Sequence, residues 1–238
     1  DACEQAAEEI EEAGGRAVAI PCNISHKDQL QALVAATRRA FGRIDILVCN
    51  AAVNPHYGAM STVPDEAYDK TMNANVRSNL WLCNMVIPEM AERQDGAVII
   101  VSSVAGLKGT NNIGIYALSK AADMQLARNL AVEWGRSNVR ANCLAPSIIK
   151  TDMAKALWDN PETLKRSTET VPLRRIGEPD EIAGAAVFLA SAAGTFMAKD
   201  IAPGSSGSSP PRLRDRPGVL LFLGHEPGHR QGAGGARG

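Results

Sequence analysis

Residues 103–120 read SVAGLKGTNNIGIYALSK and place a serine, a tyrosine and a lysine at fixed intervals, Ser103, Tyr116 and Lys120. Tyr116 and Lys120 are four positions apart, so on a helix their side chains share one face. An ammonium beside a phenol favours the phenolate, which makes Tyr116 a candidate general acid/base near neutral pH. By itself a Tyr-x-x-x-Lys pair is a weak signal, because a surface helix with a half-buried tyrosine and an exposed lysine has the same pattern.

The flanking sequence predicts that this stretch joins a buried strand to a helix. Residues 97–101 form an apolar run, which is typical of a strand buried in a parallel sheet. Ser103 follows that run, so its hydroxyl is expected at the carboxyl end of a strand, where open α/β sheets place their sites.

The rest of the chain alternates between strand patterns and helix patterns. Strands are predicted at residues 16–22, 44–49, 97–102 and 139–145, and helices at residues 2–13, 28–41, 65–92, 115–134, 161–169 and 179–190. Gly14 and Gly15 are expected to end the first helix, and Ser25 to cap the second. Alternation of this kind predicts an α/β fold, a Rossmann-like doubly wound parallel sheet with helices on both faces.

Composition excludes several classes of function. The net charge of -1 provides no basic field for nucleic acid or an anionic membrane. Five cysteines without a C-x-x-C spacing argue against a disulfide framework or a metal site, and Cys22, Cys49 and Cys143 are predicted to be buried. There is no apolar run of transmembrane length and no signal peptide, so a cytoplasmic location is the default expectation. The first residue is not Met, and a missing N-terminus leaves organelle targeting open.

Residues 198–238 differ from the rest of the chain. They are rich in Gly, Pro, Ser and Arg and show neither helical nor strand periodicity, so disorder is predicted. The predicted domain division is therefore 1–197 and 198–238. An apolar run at residues 219–223 and the pair His225 and His229 fall in this second part.

Residues 1–197 resemble the short-chain dehydrogenase/reductase family, most closely its carbonyl/retinal reductase branch. The resemblance implies that Ser103 hydrogen-bonds the substrate oxygen, Tyr116 exchanges the proton, and Lys120 holds the nicotinamide ribose and supports the phenolate. Asn75, in MNANVRSNLWL, is implied to help hold a water that links Lys120 to solvent. Two neighbouring asparagines, Asn73 and Asn79, do not match, because the family's Asn immediately precedes an aliphatic residue.

The resemblance also implies a site for NAD or NADP. Residues 49–52 (CNAA) match the family's Asn-Asn-Ala-Gly motif, and residues 142–151 (NCLAPSIIKT) match its Asn-x-x-x-Pro-Gly-x-x-x-Thr segment. Ser147 replaces the glycine of that segment, which matters if the position requires a positive φ. The implied cofactor-binding residues are Asn23, Ile24, Asn50, Ala51, Ala52, Tyr116, Lys120, Pro146, Ser147, Ile148 and Thr151. Residues between Thr151 and Leu173 would form a substrate lid.

Two parts of the family pattern are missing from the sequence. The glycine-rich turn Thr-Gly-x-x-x-Gly-x-Gly with its two strands is absent before the first helix, and the match stops near residue 197. We therefore expect a sheet that lacks the family's first two strands and its last, low stability, and weak or no binding of NAD(P). The second strand normally selects between NAD and NADP, so that preference is unreadable.

Two functions from different classes follow from the resemblance. The first is an NAD(P)-dependent oxidoreductase that interconverts a small carbonyl and an alcohol. The second is a non-catalytic remnant that at most associates with full-length relatives. In the intact family the long helix before the serine strand and the Tyr-Lys helix form a homo-oligomeric interface, in a dimer or tetramer, and both helices are predicted here.

Overall fold

The computed structural model describes residues 2–198, 201–203 and 219–221, which form the predicted α/β fold. Its helices are α1 (Ala2–Glu12), α2 (Lys27–Phe41), α3 (Asp65–Met72), α4 (Ser78–Glu92), α5 (Gly114–Trp134), α6 (Pro161–Thr168) and α7 (Pro179–Ala190). Its strands are β1 (Ile46–Cys49), β2 (Gly96–Val101), β3 (Val139–Ala145), β4 (Ile201–Pro203) and β5 (Val219–Leu221). None of the helices in this part of the chain is both long and apolar enough to cross a bilayer.

All five strands run parallel in one sheet, in the order β4-β3-β2-β1-β5. In the central register Cys49 pairs with Ile100, and Val101 pairs with Leu144. Because these strands point the same way, the segments that follow β1, β2 and β3 meet at one edge of the sheet. That edge carries most of the residues that the sequence assigned to a site.

Side chains alternate between two apolar layers, as a sheet covered on both faces requires. Leu47, Cys49, Val98 and Ile100 belong to the larger cluster, together with α2, α4 and α5. Ile46, Val48, Ala97 and Ile99 belong to the smaller cluster, which includes Leu189 and Ala190 of α7. Burying each Val, Leu or Ile side chain stabilises the fold by roughly 1.5–3 kcal/mol, so these short strands contribute substantially to stability together with the helices that cover them.

The predicted strand at residues 16–22 does not form. Ile20 and Cys22 pack against the larger cluster, but Val18 is 54% exposed. A strand needs a neighbour for its backbone N–H and C=O groups, and local β propensity cannot replace one. The place beside β1 is taken instead by β5, where Ile46 pairs with Val219.

Both edge strands lie in the stretch for which disorder was predicted. Cys143 of β3 pairs with Ile201 of β4, so the sheet continues past β3 where no strand was expected. Most of the stretch predicted to be disordered lies outside the described residues, and β4 and β5 are short segments of it that pair with the open edges of the sheet. His225 and His229 lie outside the described residues.

Helix boundaries follow the sequence prediction to within one residue except in the long helix, and the predicted cap of α2 is wrong. Gly14 ends α1 with a φ of +83°, and the Gly15 N–H donates to the Ile10 carbonyl at 2.9 Å. Ser25 does not cap α2, because the helix begins at Lys27 and its N-cap position is His26, while the Ser25 N–H donates to Asn23 Oδ1 in a local turn. The helix predicted over residues 65–92 is interrupted by a π-helical turn, Asn73–Arg77, between α3 and α4.

The cysteine prediction is confirmed in part. Cys49 and Cys143 are buried, whereas Cys22 is only half-buried because its predicted strand does not form.

The segment after β2 crosses α5 at very close range, at Gly106. A Cβ added at Gly106 would lie 2.7 Å from the backbone nitrogen of Ala121 and 2.8 Å from the carbonyl carbon of Lys120. Helix backbone cannot yield locally, so Gly106→Ala is expected to lower the free energy of unfolding by about 1–3 kcal/mol in urea titrations.

Gly109→Ala is the matched control, because a Cβ there meets nothing within 4 Å. Its effect should stay within about 0.5 kcal/mol. Equal effects of the two substitutions would contradict the close crossing of α5.

Candidate active site

Ser103 lies at the carboxyl edge of the sheet, directly beyond β2, as predicted. Its Oγ accepts a hydrogen bond from the Ala105 N–H at 3.2 Å and so begins the short turn Val104–Leu107. The Val104 N–H donates to the Pro146 carbonyl at 3.0 Å, which joins the chain after β2 to the chain after β3. Ser103 is half-buried, so its hydroxyl is held in place and not sealed from the surface.

Tyr116 and Lys120 share one face of α5, as their spacing predicted. The helix begins at Gly114, so Tyr116 lies in its first turn and is half-buried. Lys120 lies one turn later and is only 2% exposed. Its Nζ is 5.7 Å from the centre of the Tyr116 ring, which brings the ammonium beside the phenol.

Three hydrogen bonds tie Lys120 to the surrounding strands and helix. Its Nζ donates to the Val101 carbonyl at 2.9 Å and to Asp123 Oδ2 at 3.1 Å. The Lys120 carbonyl accepts from Ser102 Oγ at 2.6 Å. Since Val101 and Ser102 directly precede Ser103, these bonds hold the lysine, the tyrosine helix and the serine strand together.

Asn75 is fully buried in the π-helical turn and connects three segments. Its Oδ1 accepts from the Val53 N–H at 2.8 Å, and its Nδ2 donates to the Val53 carbonyl at 3.0 Å. The same Nδ2 donates to Ser119 Oγ at 2.9 Å. The carboxamide therefore fixes the loop after β1 against α5. π-helical turns like this one are frequent at functional sites.

Six of the implied cofactor residues lie where strands end. Asn50, Ala51 and Ala52 directly follow β1, and Pro146, Ser147 and Ile148 directly follow β3, so the structure brings both groups to the same edge as Ser103. Ser147 does not have a positive φ, since the non-glycine residues that do are Gln94, Asn138 and Arg174 among the described positions. A serine is thus accommodated where the family has glycine.

The other implied cofactor residues have mainly local contacts. Thr151 is exposed, and its carbonyl accepts from Trp158 Nε1 at 3.1 Å. Ile24 is buried in the larger cluster, and the Asn23 N–H donates to Gln29 Oε1 at 2.7 Å. Asn23 Oδ1 already accepts from Ser25, although an amide oxygen has a second lone pair for a further donor.

Sequence reasoning missed two polar residues beside Lys120. Asp123 accepts from Asn79 Nδ2 at 2.9 Å as well as from Lys120, and Asn79 also donates to the Asn75 carbonyl at 2.6 Å. Burial raises the pKa of the Asp123 carboxyl, while Lys120 and Asn79 act in the opposite direction. Their spacing was a usable signal, because Asn75 and Asn79 are at i and i+4 and Lys120 and Asp123 at i and i+3 on two helices.

Buried thiols line the same region. A hydrogen bond with Cys83, together with burial, raises the pKa of Cys49 well above its ordinary value. Burial, with Asp123 nearby, raises the pKa of Cys143 to about 11. Both thiols are therefore protonated near neutral pH and are poor nucleophiles.

Comparisons with known proteins agree with this arrangement. A family model described as enoyl-(acyl carrier protein) reductase matches residues 1–207. Dehydrogenase/reductase SDR family member 4 of Bos taurus is 38% identical over 187 residues, covering 79% of this chain and 67% of that protein. The Homo sapiens protein of the same name is 38% identical over 192 residues, covering 81% of this chain and 69% of that protein.

Solved structures with the same fold extend the agreement to the backbone. A 7α-hydroxysteroid dehydrogenase complexed with NADH and 7-oxo glycochenodeoxycholic acid matches with a TM-score of 0.81 at 34% identity, over 90% of this chain and 82% of that chain. Levodione reductase matches with a TM-score of 0.79 at 29% identity, over 84% and 80% of the two chains. The family match, the identity to the relatives and the shared fold together establish that the chain belongs to the short-chain dehydrogenase/reductase family.

Proposed function

We propose that this chain transfers a hydride between NAD or NADP and a small carbonyl or alcohol, with Tyr116 as the general acid/base. Relatives in its family carry out NAD(P)-dependent oxidoreduction in general. The observation that carries the proposal is the placement of Lys120, whose buried ammonium lies 5.7 Å from the Tyr116 ring and donates a hydrogen bond to Val101, the last residue of the strand that precedes Ser103. A fixed positive charge beside a phenol is what proton transfer by tyrosine requires.

Each of the three residues has a distinct role in the proposed reaction. In reduction, the Ser103 hydroxyl donates a hydrogen bond to the substrate oxygen, and Tyr116 gives that oxygen its proton. In oxidation, the Tyr116 phenolate removes the hydroxyl proton. Lys120 stabilises the phenolate, and its contacts to Val101 and Asp123 use two of its three N–H donors and leave one for a ribose hydroxyl.

The described residues offer more to the two ends of a cofactor than to its pyrophosphate. Ser147 and Ile148 follow β3 at the edge that carries Ser103 and would lie beside the nicotinamide, and the small side chains of Ala51 and Ala52 would allow the adenine ribose to approach the backbone after β1. Solved relatives bind NADH, NADP and NAD+. When bound, the nicotinamide supplies or accepts the hydride. The family's glycine-rich turn has no counterpart among the described residues, so we expect affinity for the cofactor to be low.

The proposed substrate is a small carbonyl or alcohol with an apolar body. The segment after Thr151 begins with a short turn, Asp152–Leu157, and Met153 in it is 56% exposed. Trp158 follows, and its indole N–H is anchored to the Thr151 carbonyl. An exposed methionine and an anchored tryptophan offer apolar contact to a substrate at the edge of the site. The five free cysteines fit the reducing cytosol that we propose as its compartment.

A second candidate function, association with copies or relatives without catalysis, is favoured by an apolar surface on α3, α4 and α5. Four large side chains there are exposed: Tyr68 at 45%, Leu80 at 41%, Leu118 at 46% and Val132 at 73%. α3 and α4 pack beside α5, so these side chains lie on neighbouring helices. Exposed apolar side chains clustered in this way are typical of protein interfaces. We propose that this surface forms a homo-oligomer, which is compatible with either function.

The catalytic proposal predicts that Tyr116→Phe abolishes hydride transfer and leaves cofactor binding in place. Reduction of 4-nitrobenzaldehyde, an electron-poor aldehyde that accepts hydride readily, should fall at least about hundredfold because the proton donor is lost. NADPH oxidation measures the rate, and nicotinamide fluorescence measures binding.

Tyr68→Phe removes an exposed hydroxyl from α3 and should leave the rate unchanged. Full activity of Tyr116→Phe would contradict the proposal. Failure of the unmodified chain to bind NADH or NADPH would favour the non-catalytic candidate.

The assembly proposal predicts that Leu118→Glu combined with Val132→Glu reduces the number of copies in the particle. Charges on an apolar interface must lose water without gaining a partner, so association becomes unfavourable. Light scattering after size-exclusion chromatography gives the molar mass directly.

Val18→Glu is the control, because Val18 is 54% exposed and lies outside these helices. It should leave the mass of the oligomer unchanged. A monomeric parent chain, or a double variant with the parent's mass, would show that this surface does not hold copies together.

A further inference from the structure

Asp123 is a fully buried carboxylate, 0% exposed, one helical turn beyond Lys120 on α5. Aspartate is rarely buried in this way unless it is paired, because a charged group loses its hydration in the interior. Both of its oxygens have partners here. Oδ2 accepts from Lys120 Nζ at 3.1 Å, and Oδ1 accepts from Asn79 Nδ2 at 2.9 Å. The carboxylate is therefore oriented from two sides, by α5 and by α4.

The Lys120 ammonium depends on this carboxylate. It is 2% exposed, and its other hydrogen-bond acceptor, the Val101 carbonyl, is neutral. An ammonium without water or an anion loses its proton more readily than one in solvent. Among the residues that the structure describes, Asp123 is the one carboxylate that forms an ion pair with the Lys120 ammonium. It supplies the negative charge that pairs with the ammonium, whose Nζ position is fixed by two acceptors.

A continuous polar chain connects this ion pair to the Asn75 turn. Asn79 Nδ2 donates both to Asp123 and to the Asn75 carbonyl, and the Asn75 side chain binds Ser119 and Val53. Asn75 and Asn79 are buried, at 0% and 3% exposure. Satisfied networks of buried polar groups are rigid, since breaking one bond leaves unpaired groups in the interior. These linked hydrogen bonds therefore hold the Asp123 carboxylate in one orientation before any ligand binds.

We propose that Asp123 is a positioning residue of the active site, which pairs with the Lys120 ammonium and holds it in place beside Tyr116, while Asn79 orients the carboxylate. The proposal rests on the proposed function of Tyr116 and Lys120, and it deepens that function by adding the group that maintains the lysine. The family resemblance assigned roles to Asn75, Ser103, Tyr116 and Lys120 and none to Asp123 or Asn79.

Kinetics of three substitutions test the role in catalysis. Asp123→Asn keeps the shape but removes the charge, and Asp123→Leu removes both charge and hydrogen bonds. Each should lower kcat for 4-nitrobenzaldehyde reduction at least about tenfold, with KM for the aldehyde within about twofold, because the proton-transfer step loses its positive charge. Asp123→Glu restores the charge and should recover part of kcat.

Glu133→Gln is the matched control, an exposed carboxylate on the same helix changed to an amide. It should leave kcat unchanged. An unchanged or higher kcat in Asp123→Asn would overturn the proposal. Asp123 would then have no effect on the rate, or it would hold the lysine away from Tyr116.

A chemical measurement tests the ion pair without any activity. A short pulse of acetic anhydride acylates neutral amines, and peptide mass spectrometry reports the modified fraction at each lysine. In Asp123→Leu the modification of Lys120 should rise about fivefold or more, because a lysine that has lost its anion is no longer held in the interior and meets the reagent more often. Exposed lysines such as Lys150 are internal references and should not change. An unchanged Lys120 would overturn the proposal even in an inactive chain.

The two readouts separate this inference from the proposed function. A parent chain without hydride transfer whose Lys120 still responds to Asp123→Leu would support the ion pair and reject the catalytic function. Should Asp123→Leu fold poorly, the double variant Lys120→Met/Asp123→Leu provides the test. If the two side chains stabilise each other, its urea midpoint exceeds that of Lys120→Met alone. Additive losses would overturn the proposal.

Discussion

A hydrogen bond from the Lys120 ammonium to the Val101 carbonyl ties the helix that carries Tyr116 to the strand that ends before Ser103. The relative placement of Ser103, Tyr116 and Lys120 depends on this crossing of α5 over the end of β2. Gly106 permits it, because the chain after β2 approaches the α5 backbone more closely than any side chain would allow. Ser102 reinforces it through its bond to the Lys120 carbonyl. The lysine is thus a structural bridge and a candidate functional group at once.

The hydrogen bonds of Lys120 matter because its ammonium is buried. A buried ammonium is costly unless each contact is well made, and the partners of Lys120 come from a strand end and from its own helix. The π-helical turn at Asn73–Arg77 contributes from the other side, because it directs the Asn75 side chain toward the loop after β1 and toward Ser119. Two helices and two strand ends are therefore locked together by polar groups inside an otherwise apolar core.

The sheet edge beside β1 shows why local sequence patterns were insufficient to predict the strands. Residues 16–22 have the composition of a strand, yet they form none, while Val219–Leu221 in a Gly- and Pro-rich stretch pairs with β1. Strand formation is a property of two segments, since each supplies the hydrogen-bond partners of the other. Helices are less exposed to this error because their backbone bonds are internal, and α7 has the predicted bounds Pro179–Ala190.

The sequence by itself determined the alternation of helices and strands, the helix face shared by Tyr116 and Lys120, and the location of Ser103 beyond a buried strand. These follow from short-range periodicity, which the backbone geometry of helices and strands imposes directly. The tertiary structure alone decided that Asn79 of α4 meets Asp123 of α5, that β5 occupies the edge beside β1, and that Gly106 touches α5. Those contacts join residues far apart in the chain, and their formation depends on how whole elements pack, which no local pattern encodes.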